Sequence, residues 1–165
     1  MTKYLTDDEV IANTWFLTNY GVMTVITLSF ATFELACNQK LYDEIRTVII
    51  TNDDDNDDRQ LDVDRLQNLP LLEAVVCETL RLYSPTIMEG RIAKKKMTIH
   101  LGGALTGVTL RAEETIEFGV YPMHISAEYY PNPEQFKFDC FLLEIRNQLT
   151  PYAFLPFGLG PRHLY

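Results

Sequence analysis

Glu78 and Arg81 stand three residues apart in Glu78-Thr79-Leu80-Arg81, a spacing that puts a carboxylate and a guanidinium on one face of a helix. Such a pair can form a bidentate ion pair, although on an exposed face it contributes only weak local pairing. A second set of oxygens lies at Asp53, Asp55 and Asp57, with Asp64 further on, which are the first, third, fifth and twelfth positions of a calcium-binding loop. Asp58 takes the slot where that loop needs glycine, Gln60 takes an apolar slot, and no glutamate closes the ring. A solvated acidic linker is therefore the stronger reading. Cys37, Cys77 and Cys140 are odd in number, far apart and without C-x-x-C spacing, so neither a disulfide framework nor a zinc site is indicated, and a reducing, intracellular compartment is expected.

The chain has 165 residues, and its 47% hydrophobic and 22% charged composition excludes disordered, collagen-like and disulfide-dense classes. A net charge of -9 makes nucleic acid an unexpected partner. The charge is unevenly spread: Asp53 to Asp64 holds seven aspartates and one arginine, so most of the acidity belongs to one segment. Asp7, Asp8 and Glu9 stand where a secretory signal would be basic, and no targeting segment is expected.

The elements that would position these groups follow from caps and breakers. Thr6 followed three residues later by Glu9 forms a capping box, and Val10 to Phe33 then lacks any charged side chain. That stretch passes the crude length test for a membrane span. Its asparagines, threonines and glycine suit instead a helix buried across a large domain, continuing to about Cys37, so membrane association of the chain is not expected. A second helix is expected over Lys40 to Ile50. Pro70 is placed to open a helix running to about Leu82, and Pro85 stops it. Between Arg91 and Tyr121, alternation at Met97 to Leu101, a Gly102-Gly103 turn, and strand formers at Val108 to Leu110 and Thr115 to Val120 predict a small β region. The five prolines between His124 and Tyr165 predict ordered coil.

Three segments in this order carry a resemblance: ETLRLYSP from Glu78 to Pro85, YPNPEQF from Tyr130 to Phe136, and PFGLGPR from Pro156 to Arg162. They resemble the C-terminal part of the cytochrome P-450 superfamily, the heme-thiolate monooxygenases, with a flavour closest to its animal drug-metabolising and thromboxane-synthase-like branch. The resemblance covers nearly the whole chain. It implies a partial domain over 1–165, mainly α with a small antiparallel β region. Residues 5–50 would be the long central helix and its follower, 51–64 an acidic linker and 65–86 the E-x-x-R helix region. Residues 87–123 would form the β region, and 124–165 the coil leading to the heme loop.

The same resemblance implies site residues and three departures. The family's thiolate ends the pattern F-x-x-G-x-R-x-C and pushes electron density onto heme iron. Phe157, Gly160 and Arg162 match that pattern, while the cysteine slot holds Leu164, which has no lone pair to give iron. His163 is adjacent, but a one-residue displacement aims it elsewhere. In the central helix the acid and alcohol slots of the proton relay are Val22 and Met23, and Thr24 could substitute only after a turn of about 100°. The P-E-R-F arginine, which joins the E-x-x-R pair in a buried network, has become Cys140, so that network is expected to be incomplete. Arg91 and Arg162 match residues that pair with heme propionates.

Implied for the family are a heme cofactor, insertion of oxygen into a small organic substrate, a reductase partner and the face of the endoplasmic reticulum membrane. For this chain the ligand slot points to loss of redox chemistry. The competing reading from another class is a noncatalytic remnant or binding protein that keeps the fold elements.

Overall fold

The computed structural model describes residues 4–51, 63–100 and 107–160. The acidic run from Asp53 to Asp58, the Gly102-Gly103 turn, and Arg162, His163 and Leu164 lie outside the described residues.

Helix α1 spans Asp7–Cys37 and opens as its sequence dictates. The Thr6 hydroxyl accepts from the Glu9 amide at 3.3 Å, and the Thr6 amide donates to the Glu9 carboxylate at 2.8 Å, satisfying donors that a helix start leaves bare. Helix α2 (Gln39–Thr51) follows after Asn38, whose side chain accepts from the Leu41 amide. Helix α3 (Val63–Gln67) straddles the end of the expected linker and the start of the expected E-x-x-R helix region. Helix α4 runs Pro70–Leu82, with Pro70 in the first turn, where its missing N–H is not needed.

The β region is two antiparallel ribbons. Strand β1 (Met88–Ile92) pairs with β4 (Thr115–Gly119), with Arg91 opposite Ile116, and β2 (Met97–Ile99) pairs with β3 (Val108–Leu110). The expected β region overran at its end, because Val120–His124 forms helix α5. Pro122 is the cause: it cannot donate to a ladder, but in a first helical turn its lack of an N–H is harmless. The amides of Val120 and Tyr121 both donate to the Ile87 carbonyl, which fixes the turn onto β1. Beyond α5 the described residues are coil as far as Gly160, as the prolines predict, apart from a 3-10 turn at Phe138–Phe141 and the short helix α6 (Leu143–Arg146).

Helix α4 is the hub. One face packs Val75 against Leu41 and Ile45 of α2, a four-residue spacing that gives α2 a single apolar stripe. The other face packs Ala74 against Tyr130 and Phe141 of the coil.

The expectation of a buried α1 is not met within this chain. None of its residues is buried, and Trp15 and Leu17 are 68% and 70% exposed. Only its C-terminal part is held: Phe30 stacks on Tyr83 with centroids 3.9 Å apart, and the Tyr83 hydroxyl donates to Glu34 at 2.6 Å. That bond pushes the phenol up to about 12. The elements present are too few to surround a rod of 31 residues, roughly 46 Å long at the usual rise. The polar side chains of α1 turn back on it instead: Asn13, Thr14, Thr18, Asn19, Thr24, Thr27, Ser29 and Thr32 each donate to the carbonyl four residues earlier. It is long and apolar enough to cross a membrane by length and composition only.

Leu41→Ala should lower unfolding stability by about 2–5 kcal/mol in a urea titration followed by circular dichroism. Trp15→Ala should stay within about 0.5 kcal/mol of the parent chain.

Candidate functional site

The site is built from the last two turns of α4 outward. Glu78, Thr79 and Arg81 are 2% exposed or less, so the E-x-x-R pair is a buried charge pair and not the surface pair that its spacing alone would suggest. Arg81 Nε donates to Glu78 Oε2 and Nη2 to Oε1, both at 2.7 Å, the bidentate geometry that a planar guanidinium favours.

The other three N–H groups reach into the coil. Nη1 donates to the carbonyls of His124 and Pro133 at 2.8 Å each, and Nη2 to that of Gln135 at 3.2 Å. All five guanidinium donors are therefore used. Glu78 Oε1 also accepts from the Lys137 amide at 2.6 Å, and the guanidinium lies over the Tyr130 ring, 4.9 Å from its centroid.

This corrects the expectation of an incomplete network. A guanidinium at position 140 is not required, because a backbone amide bonds the carboxylate and backbone carbonyls complete the arginine. Cys140 sits half-buried in the 3-10 turn, where burial pushes its thiol up. Burial likewise pushes Cys77 up to about 11, so both thiols remain neutral and poor nucleophiles at neutral pH.

Three residues that sequence reasoning did not single out complete the scaffold. Tyr130 donates its hydroxyl to the Ala153 carbonyl at 3.1 Å. Fully buried His124 accepts the Leu155 amide on Nε2 at 3.0 Å. The Lys137 amide is the third. Only Tyr130 lay within a motif, and bonds to main-chain groups 23 to 59 residues away leave no mark on local sequence.

The loop after Leu155 carries Phe157, which is half-buried, and two glycines with left-handed backbone, Gly158 at φ +72° and Gly160 at φ +120°. Glycine is the residue that adopts these angles without strain. Arg91 lies alongside, with Nη1 donating to Glu89 at 2.9 Å and to the Gly90 carbonyl, and Nη2 to the Leu159 carbonyl at 3.2 Å. The structure thus brings Arg91 to the Phe157–Gly160 loop. Thr24 is elsewhere in its bonding: on exposed α1, its hydroxyl donates to the Tyr20 carbonyl at 3.1 Å, while Val22 is 51% exposed. Among the described residues no group of three or more histidine, cysteine or acidic side chains could hold a metal ion.

A sequence model of the family described as Cytochrome P450 matches residues 1–163. The chain belongs to the cytochrome P450 family. Probable cytochrome P450 6t1 of Drosophila melanogaster is 38% identical over 138 residues, 82% of this chain and 26% of that protein. Cytochrome P450 3A28 of Bos taurus is 32% identical over 98% of this chain and 30% of its own length. Thromboxane-A synthase of Rattus norvegicus is 33% identical over 97% of this chain and 29% of its own length. The chain therefore spans between about a quarter and a third of the P450 relatives it matches.

Because Glu78 and Arg81 are buried, removing one leaves the other as an unpaired buried charge. Glu78→Ala and Arg81→Ala should each cost about 3–5 kcal/mol in chemical denaturation. The double variant should cost clearly less than their sum, as expected for residues in one network.

Proposed function

We propose that this chain carries the proximal scaffold of a cytochrome P450 without the ligand that makes it a heme-thiolate enzyme, and that the chain is not competent for monooxygenase chemistry. One observation carries the reading: in the pattern F-x-x-G-x-R-x-C, Phe157, Gly160 and Arg162 are in place and the final position is Leu164. A hydrocarbon side chain can neither bind iron nor supply the electron density that oxygen cleavage needs.

The donor chemistry does not fit a thiolate-ligated heme, and the oxygen-activating side shows a parallel loss. Val22 and Met23 stand in the relay slots, and the Thr24 hydroxyl is spent on its own helix.

A small organic substrate, a reductase and a place at the endoplasmic reticulum membrane belong to this reading only as properties of the relatives' full-length domain. The remaining length of such a domain is also what would cover α1. On this view, what persists here is a noncatalytic scaffold.

Spectroscopy tests it. The purified chain, mixed with hemin, reduced and exposed to carbon monoxide, should show no thiolate-type Soret band, and such a band would overturn the proposal. Leu164→Cys should gain thiolate character in the same measurement if the missing sulfur is the sole defect; continued failure would assign a share to the remaining length of the relatives' domain.

A further inference from the structure

His124 is wholly buried in α5 and grips the strand of coil that leads to the glycine loop. Its Nε2 accepts the Leu155 amide at 3.0 Å, which requires a lone pair there and places the ring proton on Nδ1. Among the described residues Nδ1 has no hydrogen-bond partner. The ring stacks on Phe154 with centroids 5.5 Å apart, so the imidazole touches both residues of the Phe154-Leu155 pair.

The groups around it oppose a second proton. From α4, the Arg81 guanidinium donates to the carbonyl of His124 itself, and its charge is shared with Glu78. From β1, which also packs on α5, come Glu89 and Arg91, paired with each other at 2.9 Å. The coil segment contributes Phe154 and Leu155, neither of which titrates. Burial first, then Arg81, hold the imidazole down at about 4.

We propose that His124 is a proton-sensitive latch on Phe154–Gly160: neutral, its Nε2 holds the segment closed, and uptake of a solvent proton releases it. The protonated ring would carry an N–H where Leu155 presents its own, so two donors would face each other, and a second positive charge would stand beside Arg81. Neither conflict is relieved while the segment stays in place. Releasing Leu155 exposes the ring to water, where its ordinary value near 6.5 returns. The tie of Arg91 to Leu159 within the segment, and that of Tyr130 to Ala153 just before it, do not depend on this proton. The latch requires no heme and is independent of the ligand-slot reading.

The sign follows from the lowered value in the closed state. The closed form is fully favoured above about 6.5 and loses ground as pH falls from there towards about 4, by roughly tenfold per pH unit. Hydrogen exchange by NMR on the full chain, expressed as protection factors to remove the intrinsic pH effect, reads this directly. Leu155 protection should fall roughly tenfold between pH 6 and pH 5 while the Thr79 amide in α4 keeps its own. His124→Gln retains an acceptor near the Nε2 position and does not titrate, so its Leu155 protection should be flat over that range. Unchanged Leu155 protection in the parent chain, simultaneous loss at Thr79, or a parent-like response in the glutamine variant would each overturn the latch. Should the variant not fold, the parent decides: the His124 ring nitrogens and the Leu155 amide must titrate with one midpoint, and separate midpoints refute the coupling.

Discussion

The Arg81 guanidinium, 2% exposed, is the constraint on which the rest of the structure depends. Burying a charge this completely is unfavourable unless a counter-charge and all remaining donors are met. Glu78 provides the counter-charge, and the carbonyls of His124, Pro133 and Gln135 meet the other donors. The chain from α5 to Gln135 is thereby wound around one side chain of α4, and Lys137 is fixed by the partner carboxylate. An irregular segment, with few ladder bonds of its own, gains a defined path because a helix offers it three charge-assisted donors and one acceptor.

The local parts of this design were readable from residues alone. The capping box of α1, the start of α4 at Pro70 and its stop near Leu82 were all visible as caps and breakers. These signals act within one turn of chain, so no tertiary knowledge is needed. The α5 turn was hidden because Thr115 to Val120 has strand composition and Pro122 decides the matter only after it.

The site was legible in its side chains and not in its main-chain partners. Cys140 looked like a broken network because sequence shows lost guanidinium groups and cannot show the Lys137 amide that approaches the carboxylate. Similarly, Val10 to Phe33 read as a core helix because its asparagines and threonines suit a membrane span poorly, yet none of its residues is buried, and the Tyr83 contacts fall at Phe30 and Glu34. Apolar composition states that a helix wants cover; it does not state which residues give it.

The buried pair, the Tyr130 and His124 ties and the loop beside Arg91 are held by the chain's own bonds, whereas the proposed loss of thiolate chemistry turns on Leu164 alone. The most direct test of a self-sufficient scaffold is amide exchange at Lys137 in the heme-free chain, because this one N–H joins the coil to the buried carboxylate. Slow exchange is expected there, and it should be lost in Glu78→Ala, which removes the acceptor. Rapid exchange at Lys137 in the parent chain would contradict a self-sufficient scaffold.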